Sequence, residues 1–195
     1  MQGRPRGFDS DQVLDAAMAV FWKKGYAGTG LSELETATKL GRQSLYGAFG
    51  DKRALFASVV DRYFDVVLRP FIIDVLDAPG SGRANVERVI RDWEVAASAP
   101  DFNGCLVGNS SSEVNLHDPE MIDMLKRKLD LLEAAFHRAL KRAQEAGEVK
   151  ATLNVRSTAR SLLVTAQGLS IVYRVNRDRA FVRAIVRDAL ARLDD

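Results

Sequence analysis

TGLSELETATKLGRQSLYGAFGDKRALF, residues 29–56, decides how the chain is organised. Leu31, Leu34 and Ala37 are spaced three apart, which puts them on one face of a short helix. Lys39-Leu40-Gly41 breaks that spacing, and Gly41 suits a turn that needs unusual backbone angles. A second helix opens at Arg42-Gln43. Its Leu45 and Phe49 are four apart and pack inward, leaving Arg42, Gln43, Ser44 and Tyr46 to face outward. Two short helices joined by a Gly-containing turn, the second with an exposed polar and aromatic face, make a helix-turn-helix. Such a helix fits the major groove of B-DNA.

Upstream, Asp9 or Ser10 is placed to cap a helix running to Lys24, with Gly25 ending it. Leu14, Ala17, Met18 and Phe21 form an i, i+3, i+4, i+7 stripe that packs against Leu34, Leu45 and Phe49 as a three-helix core. Thr29 falls at the start of the second helix, where its hydroxyl is placed to cap it and to meet a phosphate. Residues 1–8 are rich in Gly, Pro and Arg, and Arg4 and Arg6 read either as an arm reaching DNA or as a solvated tail. Asp51 caps a further helix whose first turn holds Lys52 and Arg53. Basic residues there oppose the helix dipole, so they fit a nearby phosphate, with solvated charge as the alternative.

Ser44-Leu45-Tyr46, Phe49, Gly50-Asp51-Lys52 and Leu55-Phe56, together with Phe21-Trp22-Lys23-Lys24-Gly25-Tyr26 and Thr29, resemble the signature of TetR-family transcriptional repressors. The resemblance covers about the first third of the chain. Beyond it, the chain is family-like only in length and helical pattern. Two positions depart from the usual pattern: Lys39 stands where a turn glycine is common, and Gly41 where Ser or Thr often caps the reading helix. The resemblance implies that the positions of Tyr46 and Lys52 contact DNA backbone, that the chain is a homodimer, and that a small effector controls it.

A chain of 195 residues with 47% apolar residues supports one large domain or two small ones and a sizeable core. The single cysteine, Cys105, excludes an internal disulfide and fits a cytoplasmic location. The N-terminal residues carry no apolar signal region, and no apolar run reaches the ~18 residues of a membrane helix. A net charge of +2 argues nothing about nucleic acid by itself. The placement of Arg4, Arg6, Lys39, Arg42, Lys52 and Arg53 in or beside the reading unit does.

Helices follow from Asp51 with Pro70 kinking or ending the first, from 83 to 99, from 120 to 146, from Asn154 to about 175, and from 178 to 193. Asp77 to Gly82 is a linker, and residues 104–118, rich in small residues, read as a buried or pocket-lining helix. The last two helices are apolar over much of their surface. Either they close their own core or they pair with a second copy through Leu162, Ala166, Leu169, Phe181, Ile185 and Leu190. An effector pocket belongs between helices, with Tyr63, Phe64, Trp93, Phe102, Cys105, Asn109, Phe136 and Gln167 as candidates that equally suit a plain core.

Catalysis has little support. A nucleophilic Cys105 wants a histidine beside it, and nothing brings His117 or His137 there. Glu113 and His117 are two ligands short of a zinc site, so neither metal nor cofactor is expected. Cys105 reads as a small buried hydrophobe or, at a helix N-terminus, as an acidified sensor thiol.

The expectation is an all-α chain: a helix-turn-helix DNA-binding domain over residues 1–50, then a helical effector-binding and dimerisation domain over 51–195. It would bind a palindromic double-stranded DNA operator and respond to a small molecule of unspecified class. The rivals are a DNA-binding protein with no effector and a cysteine-dependent enzyme with an incidental helix-turn-helix. In DNA recognition, Arg42 suits guanine and Gln43 adenine, each worth about 1–3 kcal/mol of discrimination. Tyr46 and Lys52 suit phosphate and set register.

Overall fold

A computed structural model describes residues 8–97 and 99–194, and every regular element among them is helical. Arg4 and Arg6 lie outside the described residues. Helix α1 (Ser10–Gly28) is capped by the Asp9 carboxylate, which accepts from the Asp11 and Gln12 amides. Gly25, at φ +74°, breaks it as the sequence indicates, before a last turn to Gly28. Val13, Ala17 and Phe21 bury its inner face, and the Phe21 ring meets Phe56 edge-on at 5.0 Å.

Helices α2 (Leu31–Thr38) and α3 (Arg42–Phe49) form the helix-turn-helix, seated by Leu34 and Leu45, both fully buried. The turn's unusual backbone angles fall on Lys39, at φ 57°, and not on Gly41, whose φ is an ordinary −70°. A left-handed lysine costs about 1–2 kcal/mol, which the packing of the two leucines must offset. The cap of α2 is also displaced by one residue from the expectation. Gly30 is the N-cap, its N–H donating to the Glu33 carboxylate at 3.0 Å, while buried Thr29 donates its hydroxyl to the Gly25 carbonyl at 2.7 Å. At the start of α3, where Gly41 offers no side chain, Glu35 of α2 accepts from the Arg42 amide at 2.6 Å. One orphan donor of the reading helix is thereby satisfied across the turn.

Helix α4 (Lys52–Tyr63) starts on Asp51, which accepts from the Ala54 amide at 2.8 Å. Of the two expectations at Pro70, an end to the helix is not met. The backbone continues through a π-helical segment, Phe64–Ile73, into the short α5 (Asp74–Leu76). Proline has no N–H, and its ring crowds the carbonyl four residues back. The wider turn, in which the Asp74 N–H reaches the Arg69 carbonyl five residues back, accommodates both defects. One continuous helical strut thus runs from the helix-turn-helix into the rest of the chain.

The remainder is a bundle of α6 (Gly82–Ala97), α7 (Leu106–Glu113), α8 (Pro119–Glu145), α9 (Val155–Val172) and α10 (Arg179–Ala191). Asp118, Asn154 and Asp178 cap α8, α9 and α10 through their side chains. α8 packs against α6 and α9, with Leu132, Phe136 and Leu140 fully buried between them. Gly82 lets α6 start directly against the backbone of α8, where a side chain would strike the Ala139 carbonyl.

Candidate nucleic-acid interface and effector cavity

Arg42, Gln43 and Ser44 stand exposed on the first turn of α3, on the face opposite buried Leu45. Tyr46 is half-buried on the next turn, and Phe49 rests against Phe8 at 6.4 Å. Lys52, at the start of α4, lies 4.6 Å above the Tyr26 ring, and burial lowers its pKa from the ordinary lysine value. Arg53 has a different role from the one its position suggests. Its guanidinium grips Asp118 bidentately at 2.8 and 2.6 Å and reaches Glu120 at 2.9 Å, so its charge is spent on the cap of α8. Arg62 similarly ties α4 to α1 through Asp15 and Asp11.

Behind this unit lies a cavity of about 140 Å³. α1 contributes Trp22, the strut Tyr63, Val67, Leu68 and Phe71, α6 Trp93 and Ala96, the segment before α7 Phe102, Gly104 and Cys105, and α9 Ser170. The structure therefore brings Tyr63, Trp93, Phe102 and Cys105 together. It does not bring Phe64, Phe136, Asn109 or Gln167 to the cavity wall. Phe64 is covered by Lys128 and Arg69, and Phe136 is fully buried core. The Asn109 side-chain amide donates to the Asn103 carbonyl. The Gln167 amide is buried with no partner, beside the Cys105 thiol. Trp22, Phe71 and Ser170 were not anticipated. Trp22 lies off the α1 core stripe, a signal that it serves something else.

Cys105 is the N-cap of α7, where an acidified thiol was one reading. Its surroundings act in the opposite direction. Burial raises its pKa, outweighing the hydrogen bonds from the Gly108 amide, the Tyr63 hydroxyl and the Val107 amide. No imidazole is among the groups that act on it. Among the described residues, no three His, Cys, Asp or Glu side chains converge as a metal site would require.

Helix α7 is held to α1 at both ends. Before it, the Gly104 carbonyl accepts from Trp22 Nε1 at 3.0 Å; at its end, the Glu113 carboxylate accepts from the Tyr26 amide at 2.9 Å. Gly25 makes room for that carboxylate. The cavity wall is thus hydrogen-bonded to a helix of the DNA-reading unit.

On α9 and α10, Leu162, Ala166 and Leu190 are buried in the protomer's own core, so they are not surface for a partner, while Leu169, nearly buried, lines a shallow groove. Phe181 and Ile185 are half-buried along that groove with Thr165 and Gly168, and Val164, Ile171, Val172 and Val175 are exposed on and just beyond α9.

A helix-turn-helix joined by a continuous helical strut to a helical bundle with its own cavity defines a DNA-binding unit coupled to a ligand-binding one. Comparison with known proteins names the class. A family model described as "Bacterial regulatory proteins, tetR family" matches residues 13–59, and one described as "Tetracyclin repressor-like, C-terminal domain" matches residues 82–189. The uncharacterized HTH-type transcriptional regulator YezE of Bacillus subtilis (strain 168) is 32% identical over 98% of this chain and 100% of its own. The HTH-type transcriptional repressor ComR of Escherichia coli (strain K12) is 31% identical over 87% of this chain and 81% of its own. A cysteine mutant of the TetR family regulator CifR, solved with 26bp operator DNA, superposes with a TM-score of 0.85 at 30% identity, covering 96% of this chain and 98% of its own. The chain belongs to the TetR family. It is a ligand-responsive, DNA-binding transcriptional regulator. No helix among the described residues is long and apolar enough to cross a membrane.

Proposed function

We propose that the protein is a homodimeric repressor that binds a two-fold symmetric operator in the cytoplasm and is released by a small molecule in the cavity behind Trp22. The observation that carries this reading is the first turn of α3, where Arg42, Gln43 and Ser44 stand free on a helix whose opposite face is anchored by Leu45. Arg42 and Gln43 read base edges, Ser44 assists, and Tyr46 and Lys52 hold phosphate and fix register. Thr29 contributes through its place at the start of α2 and not through its hydroxyl, which is committed to Gly25. The positive charge of Arg4 and Arg6 adds to the attraction for phosphate.

The reading unit comprises residues 1–50, with Lys52 just beyond it on phosphate, and residues 51–195 bind partner and effector, with Trp22 of the reading unit completing the cavity. The partner surface is the Phe181 and Ile185 groove with the exposed valines and isoleucine of α9. A ligand that binds one packing of Trp22, Gly104 and the strut more tightly than another shifts the population between them. The spacing of the two α3 helices then no longer matches half-sites a helical turn or more apart.

Selection of bound duplexes from a random pool tests this reading. Enrichment of a two-fold symmetric site supports it, and a pool that stays random contradicts it.

A further inference from the structure

The cavity's chemistry narrows its ligand, and the argument rests on the effector reading above. Aromatic side chains from α1, the strut, α6 and the segment before α7 surround about 140 Å³. The Trp22 and Tyr63 rings meet at 4.9 Å and 72°, and those of Phe71 and Trp93 at 6.1 Å and 65°. Both pairs are edge-to-face, so the wall offers ring edges and ring faces at once, the geometry that another aromatic ring completes.

No charged side chain lines this space. The polar groups that reach it pair with protein groups, the Tyr63 hydroxyl with the Cys105 thiol among them. The Gly104 carbonyl accepts from Trp22 Nε1, and the Ser170 hydroxyl accepts from Trp93 Nε1 at 3.0 Å while donating to the Ala166 carbonyl. A carboxylate entering here would find no cation, and the indole N–H donors of Trp22 and Trp93 are already given to protein oxygens. An ammonium would find no anion, only the second lone pairs of oxygens that already accept and the ring faces, to offset its lost hydration. Volume sets the size: an apolar cavity of about 150 Å³ stays dry and holds one benzene ring.

We propose that the effector is an uncharged, apolar molecule the size of a single substituted aromatic ring. It sits against Trp22, so occupancy acts directly on the hydrogen bond that joins the cavity wall to α1.

The chain's two tryptophans, Trp22 and Trp93, both line the cavity, so intrinsic fluorescence reports its occupancy. The test titrates the full chain with toluene, benzoate, benzylammonium and tetramethylammonium, following fluorescence and thermal melting. Toluene gives a saturable fluorescence change and a raised Tm, and the three ions do not. Ala96→Leu, which extends a wall residue into the space, weakens toluene binding at least ten-fold, with helix content by circular dichroism checking that it folds. If that variant does not fold, Ala96→Val serves in its place with a smaller loss. The proposal is overturned if an ion binds as well as toluene, if toluene does not bind, or if filling the wall leaves toluene affinity unchanged. A failed toluene titration alongside a successful duplex selection removes the ligand class alone. A failed selection removes the regulator reading, and the titration still decides what the cavity holds.

Discussion

Trp22 Nε1 donates to the Gly104 carbonyl at 3.0 Å, joining a helix of the DNA-reading unit to the wall of a cavity 82 residues away in sequence. Gly104 is buried, so its carbonyl has little access to water as a substitute partner. Trp22→Phe keeps an aromatic ring in the wall and removes only the donor and part of the ring. An unsatisfied buried acceptor costs about 1–3 kcal/mol, which urea unfolding resolves. A variant as stable as the parent would show that this bond does not hold the two parts together.

Cys105 is the second test. Burial raises the pKa of its thiol and covers it from solvent, and the thiolate is the reactive form. A disulfide reagent is therefore expected to label the native protein at least ten-fold more slowly than the urea-denatured chain, and Cys105→Ser should bind DNA as the parent does. Equal labelling rates would revive the sensor reading of this thiol.

The grip of Arg53 on Asp118 predicts a pH dependence. Hydrogen bonds from Arg53 and then the Met121 amide hold the Asp118 carboxyl at about 2, below its ordinary 3.8. A depressed carboxyl stabilises the fold above its unfolded pKa, and that contribution fades as pH falls from about 4 towards 2. Asp118→Asn keeps a side-chain cap for α8 and removes the charge. The Tm gap between parent and variant should be widest at pH 6 and should narrow at pH 3. A gap independent of pH would assign the loss to packing.

Ile185→Asp places a charge in the half-buried groove between α9 and α10. Sedimentation is expected to show a monomer with weakened DNA binding. A dimer that persists would move the partner surface elsewhere on the chain.

Local signals carried most of the fold. Asp51 and Asn154 marked helix starts that match those observed, and Gly25 marked the break inside α1, three residues before that helix ends. The misreadings arose where a distant group or a rarer geometry decided the outcome. Lys39, the C-cap of α2, took the left-handed angles of the turn in place of Gly41, and Glu35 from the neighbouring helix supplied the cap that Gly41 lacks. Pro70 passed through a π-helical segment that periodicity does not reveal. Arg53 found its partners 65 and 67 residues away. Apolar periodicity on α9 could not tell Leu162 and Ala166, which face their own core, from the exposed Val164 and Ile171. Aromatic content alone likewise did not separate Trp22 and Phe71 in the cavity from Phe64 and Phe136 outside it.

The central claim is that the first turn of α3 reads sequence, and one measurement addresses it directly. Fluorescence anisotropy gives the affinity of parent and Gln43→Ala for the selected duplex and for an unrelated one. Losing a base contact worth about 1–3 kcal/mol predicts that Gln43→Ala binds the selected duplex about 5- to 150-fold more weakly, with its affinity for the unrelated duplex unchanged. An equal loss on both duplexes, or none on either, would contradict the assignment of this face to sequence reading.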